Sequence, residues 1–131
     1  MKTFFTILAF LLFVSMQQAV QWNAPASADA VKNPLAGNAQ AIKDGGTLFT
    51  KQCLMCHGNK GMGDGPVGIN LSPRPGNLLL PKAQKMSDGA IFWKITNGKA
   101  PMPTFKSSLS ETQRWQLVDY IRELNRLYNK H

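Results

Sequence analysis

Nothing in these 131 residues alternates polar and apolar side chains long enough to read as a strand. Two segments, one before the middle of the chain and one at its end, instead place apolar side chains at helical spacing. Between them lies a stretch dense in glycine and proline with no periodicity at all. Together these observations predict an all-α domain whose helices flank a long irregular loop. Composition divides the chain into an exported leader over 1–28, a flexible lead-in over 29–37 and one folded domain over 38–131.

The leader is predicted from Lys2 followed by the apolar run Phe4 to Val14, the layout of a secretory signal peptide. That run is shorter than the ~20 residues an ordinary membrane span needs. Ala19, Ala24, Ala26 and Ala28 are the candidate residues before the cut, and an uncleaved membrane anchor is the alternative. Small polar residues around Pro34 predict the flexible lead-in.

After Gly37-Asn38, Ile42, Gly46, Phe49 and Cys53 fall at i, i+4, i+7 and i+11, one face of a helix. Glycine costs a helix interior about 1 kcal/mol relative to alanine. Gly46 on the apolar stripe therefore predicts a place where another helix packs closely, against the plainer reading of a frayed helix. Leu78-Leu79-Leu80, ending at Pro81, is expected to pack inward. Ser87 and Asp88 open a short helix with Ile91, Phe92 and Ile95 on one side, closed by Asn97-Gly98. Pro101-Met102-Pro103 predicts an extended loop, because proline disfavours helix at the residue before it. Ser110-Glu111-Thr112-Gln113 is a capping box for the last helix, whose stripe runs through Leu117, Tyr120, Ile121, Leu124, Leu127 and Tyr128. Arg126 and Lys130 suit its negative end.

The chemistry lies at Cys53-Leu54-Met55-Cys56-His57, the attachment pattern of a c-type haem. Two thiols at this spacing reach the two vinyl groups on one porphyrin edge, and a short helical turn brings the His57 imidazole to the iron. A structural zinc site needs four ligands, and the chain has two cysteines and two histidines, one of them the terminal His131. A thioredoxin-like pair expects a strand before it, and none is predicted. A simple disulfide leaves His57 without a purpose.

The haem also gives the stretch from Gly58 to Gly76 a purpose, as a loop that uses the ring as its apolar core. Gly61 to Gly65 lacks the Lys-Ser/Thr of a phosphate loop, and the stretch lacks the spaced acidic ligands of a calcium loop. For the sixth iron position the candidate is Met102, between two prolines and 45 residues beyond His57, with Met86 as its rival. Methionine ligation favours electron transfer over substrate binding. From Asp29 onward 14 basic and 7 acidic side chains leave +7, scattered as single lysines. That pattern excludes a nucleic-acid surface and reads as a solvated basic face or as steering towards an acidic partner.

From about Ala41 to Leu127 the chain resembles the class I cytochrome c domains. The resemblance is carried by Gly46 and Phe49, Cys53 to Gly58, Gly63-Asp64-Gly65-Pro66, Gly98 with Met102-Pro103 and Phe105, and Arg114-Trp115 through Arg122. It implies one covalent haem c wrapped by three to five helices, the first and last crossing at right angles. It implies Cys53 and Cys56 as thioether links and His57 and Met102 as axial ligands. A proline carbonyl is expected to orient His57, Pro75 ahead of Pro66, and Arg74 or Trp93 to contact the haem propionates. The implied function is a periplasmic one-electron carrier of a respiratory chain, not an enzyme. Its expected partners are redox proteins, such as a membrane respiratory complex or a terminal oxidase or reductase with an acidic docking patch, with no nucleic acid and no small-molecule substrate. The alternatives are a subunit of a larger membrane respiratory complex, and a haem enzyme or gas sensor with an open sixth position.

Overall fold

A computed structural model describes residues 21–129. The apolar core of the leader, Lys130 and His131 lie outside the described residues. Six helices follow in order: α1 (Ala26–Asp29), α2 (Ala39–Gln52), α3 (Leu54–His57), α4 (Pro81–Gln84), α5 (Asp88–Asn97) and α6 (Glu111–Tyr128). A single 3-10 turn, Gly68–Asn70, interrupts the long loop. Among the described residues there is no strand, only an isolated bridge between Lys99 and Met102, so the all-α expectation holds. No helix among them is long and apolar enough to cross a membrane.

The capping box forms as the residues predict. The Ser110 hydroxyl accepts from the Gln113 N–H at 3.1 Å, and the Gln113 side chain accepts from the Ser110 N–H at 2.8 Å. The helix so started buries Leu117, Val118, Ile121 and Leu124 against Phe49 of α2 and Ile91 and Ile95 of α5. Each such side chain contributes roughly 2 kcal/mol on leaving water.

The α2 stripe is rotated by one residue from the expected one. Ala41, Gly45 and Phe49 are its buried positions. A Cβ built on Gly45 stands 2.0 Å from the Gln116 carbonyl oxygen, whereas one on Gly46 meets only the edge of the Tyr120 ring at 3.0 Å. Gly45 is therefore where α2 and α6 touch backbone to backbone, and Gly46 makes room for an aromatic ring.

Ser87 caps α5 by accepting from the Ala90 N–H at 3.0 Å. Phe92, on the flank of the buried α5 face, stacks on Trp115 with ring centroids 3.9 Å apart, and the Arg114 guanidinium lies 5.0 Å from the Phe92 centroid. Arg114 also donates to the Thr96 hydroxyl at 3.0 Å, tying the start of α6 to the end of α5.

The lead-in, expected to be flexible, is packed onto the helices. Ala28, the last residue of the span assigned to the leader, is also buried, and the α1 backbone lies directly on Gly89 of α5. Ser87 donates to Asp29 at 2.5 Å. The Asn33 amide donates to Asp119 at 2.6 Å and to Asp88 at 3.2 Å. Arg122 completes this knot, pairing with Asp88 at 2.8 Å and donating to the Gln84 carbonyl at 3.0 Å. Small polar residues give no apolar period to read, yet a single amide shared by two carboxylates is enough to dock them. Burial pushes the Asp119 carboxyl above its ordinary value, with Asn33 opposing and Asp88 adding to the rise.

Candidate functional site

Cys53 is the joint between α2 and α3. Its N–H donates to the Phe49 carbonyl at 2.8 Å, and its own carbonyl accepts from the His57 N–H at 2.8 Å. The chain thus stays nearly helical through the motif and stops at Gly58, whose φ of +83° is open to glycine and strained for other residues. A Cβ there would stand 2.0 Å from the Asp64 carboxylate, so the Gly58 and Asp64 positions of the motif are one packing arrangement.

Between this turn and the distal half lies a largely apolar cleft of about 310 Å³. Cys53, His57 and Phe49 line it from one end of the chain, Met86, Ile95 and Met102 from the other. Cys56 does not line the cleft; it stands half-buried on the same short turn, close enough for its thiol to act on that of Cys53. Both cysteines are free. Burial, and then Cys56, push the Cys53 thiol up to about 12, so it stays protonated at neutral pH.

His57 packs against Phe49 with ring centroids 6.5 Å apart. Its Nδ1 is buried with no hydrogen-bond partner of normal geometry among the described residues, an open polar atom in the wall of the cleft. Burial pushes the imidazole below its ordinary pKa, and the Gly76 backbone works weakly the other way. The backbone group facing His57 is therefore that of Gly76, not of Pro75 or Pro66. The Pro75 carbonyl is turned onto Gly63, and the Pro66 carbonyl faces the Asn70 side chain at 3.5 Å. Two prolines are conspicuous in a sequence; a carbonyl's direction is set by the path of the loop.

Met102 sits in a four-residue turn rather than an extended loop. The Lys99 and Met102 backbones exchange hydrogen bonds of 3.1 and 2.9 Å around Ala100-Pro101, whose peptide bond is cis. Thr104 donates to the Thr96 carbonyl at 2.6 Å and the Phe105 N–H to the Ile95 carbonyl at 3.2 Å, anchoring the turn to the end of α5. Met86 lines the same cleft, so both methionines of the distal half reach it.

The glycine-rich loop does less for the cleft than expected. Only its last residue, Gly76, lines it, followed by Asn77, Leu78 and Leu80. The rest folds back on α3: Gly63, Gly65 and Val67 donate N–H groups to the carbonyls of His57, Cys56 and Met55 at 2.8, 3.3 and 2.9 Å. Those bonds satisfy the open C-terminal end of α3. Of the leucine triplet, Leu79 is buried in the core while Leu78 and Leu80 face the cleft.

Arg74 is exposed and Trp93 half-buried, and neither lines the cleft. The cations in its wall are Lys82 and Lys94, with Trp22 beside them. The signal for Lys94 was present in the chain, as a lysine at i+3 from Ile91 on the buried face of α5. Trp22, lying in the span assigned to the leader, carried none.

The cleft suits a haem on its own evidence: an apolar slot, a histidine nitrogen and a cysteine on one wall, and thioethers on the other. The comparisons agree. Residues 40–121 match the family described as cytochrome c oxidase, cbb3-type, subunit III. The chain belongs to the class I mono-haem c-type cytochromes. It is 34% identical over 115 residues to a cytochrome c6 of Rippkaea orientalis, covering 87% of this chain and 86% of that one. A cytochrome c6 of Synechococcus sp. is 32% identical over 83 residues, covering 63% and 70%. Among solved structures, a chain of the Kuenenia stuttgartiensis reducing HAO-like protein complex superimposes with a TM-score of 0.61 at 28% identity. The match covers 72% of this cytochrome and 49% of that chain, so this chain spans about half the length of its solved neighbour. The cytochrome is a haem-based electron carrier, and its cofactor is covalent haem c; the position of Cys53 and Cys56 on the α3 turn is consistent with the attachment motif.

Proposed function

We propose that this cytochrome is a periplasmic one-electron carrier of a respiratory chain, with His57 and Met102 as axial ligands and no catalytic role of its own. The observation that supports this reading is the shared cleft, which His57 and Met102 both line, with the His57 backbone hydrogen-bonded to Cys53 and the Met102 turn anchored to the end of α5. Bound there, haem c supplies one-electron Fe(II)/Fe(III) cycling.

The chain's own residues do the rest. Phe49 packs against the His57 ring and Gly76 lines the cleft beside it, so the imidazole would be the residue that holds the iron from this wall. The Met102 turn would present a soft thioether to the iron, and such ligation would favour electron transfer over the binding of small ligands. The apolar walls exclude water, which keeps reorganisation small when charge changes. Lys99, exposed and near the cleft's Lys94, offers positive charge to an acidic redox partner.

The optical spectrum tests the ligand. The oxidised protein is expected to show the weak sulfur-to-iron charge-transfer band at the red end. Met102→Ala abolishes it and Met86→Leu leaves it in place; the reverse result makes Met86 the ligand.

A second reading, a fixed subunit of a larger respiratory assembly, draws support from the subunit description of the matching family and from the solved neighbour's place in a complex. Sedimentation of membranes without detergent separates the two. A carrier stays in the supernatant, and a subunit pellets with its complex.

A further inference from the structure

We propose that Lys82 and Lys94 form the anion-receiving part of the haem cleft and pair with the two haem propionates. They are the only lysines or arginines in its wall among the described residues. Lys94 projects from α5 between Ile91 and Ile95, at a position where the helix otherwise buries apolar side chains. Its ammonium lies 5.0 Å from the centroid of the Trp22 ring, a contact that stabilises a partly desolvated cation.

Neither lysine has a carboxylate partner among the described residues; the ion pairs there are Arg122–Asp88 and Arg126–Glu123. Burial, and then the cationic Lys82 and Lys99, hold the Lys94 pKa below the ordinary range. Two like charges beside an apolar slot, without a counter-ion, are unfavourable alone and favourable once an anion lies between them. Haem brings two carboxylates on one edge of an apolar ring, the same division of polar and apolar character as the cleft. Arg74, the residue first expected in this role, points into solvent.

The test uses the purified haem-loaded protein and its Lys82→Gln, Lys94→Gln and double variants, with Lys43→Gln, an exposed α2 lysine outside the cleft wall, as the control. Resonance Raman spectra are expected to show the propionate bending band shifted in each cleft variant, most in the double one, and unchanged in Lys43→Gln. The reduction potential falls in the same order, because losing a cation near the haem favours the oxidised state. An unchanged propionate band in the double variant overturns the proposal. Should the glutamine variants not load haem, Lys82→Arg and Lys94→Arg keep the charge: a wild-type band in them together with loss of loading in the glutamine forms supports the pairing. Equal loss of loading in the arginine forms counts against it. A wild-type protein without the pyridine haemochrome spectrum of haem c overturns the proposal together with the cofactor it rests on.

Discussion

The two walls around Cys53 are built by different means. On one side α2 and α6 are held by a periodic apolar stripe and a backbone contact at Gly45. On the other, residues 58–76 contribute almost no buried apolar side chain and are held by main-chain hydrogen bonds to α3, with Val67 and Ile69 left 43% and 49% exposed. The first wall draws its stability from burial, the second from satisfying carbonyls that a short helix leaves open. Side-chain truncation is therefore expected to hurt the helical frame and spare the loop, whereas blocking a backbone approach hurts both.

The largest effect tests the frame directly. Leu124→Ala, at a fully buried α6 position, is expected to cost about 3–4 kcal/mol in urea unfolding. Val67→Ala in the loop is expected to cost less than about 0.5 kcal/mol; equal losses at the two sites would break the contrast. Gly45→Ala follows at about 3 kcal/mol, because its methyl group meets a carbonyl oxygen that only a shift of a whole helix can move. Gly46→Ala, which meets a ring edge, is expected to cost clearly less. If the two glycines prove equally sensitive, the α2–α6 contact is not where Gly45 puts it.

Removing the Ser110 cap by Ser110→Ala costs about 1 kcal/mol and frays the first turn of α6, readable by amide exchange. A further effect has the opposite sign. The Asp119 carboxyl has its folded pKa raised above the ordinary 3.8 by burial. The protonated form is favoured in the fold, so stability is fullest below the unfolded value and declines as pH rises through the folded one. Asp119→Asn keeps an acceptor for Asn33, flattens that decline and raises neutral-pH stability by about 1 kcal/mol. Unfolding midpoints measured on both sides of the carboxylate range check it; an unchanged pH dependence would mean Asp119 is solvated.

Most of the helical frame was legible in the residues because its signals are local. The capping box at Ser110, the cap at Ser87 and the stripe through Leu117, Ile121 and Leu124 each depend on neighbours three or four positions away. Glycine positions were harder. Gly45 and Gly46 are chemically identical in the string, and their roles differ only through which α6 atom each one meets. The lead-in was misread for a similar reason: Asn33 looks like loop material until Asp88 and Asp119, far along the chain, supply its acceptors.

The sequence by itself pointed to the cofactor, through the spacing of Cys53, Cys56 and His57, and to the family and the helical class. Only the tertiary structure decided that the glycine-rich loop ties back onto α3 and leaves the cleft to others. It also showed that Gly76 rather than Pro75 faces His57, and that Lys82 and Lys94 are the cations beside the slot. The division has a physical cause. Covalent attachment and helix signals act over a few residues and are written along the chain, whereas a carbonyl's aim and a lysine's neighbours are properties of segments brought together from far apart.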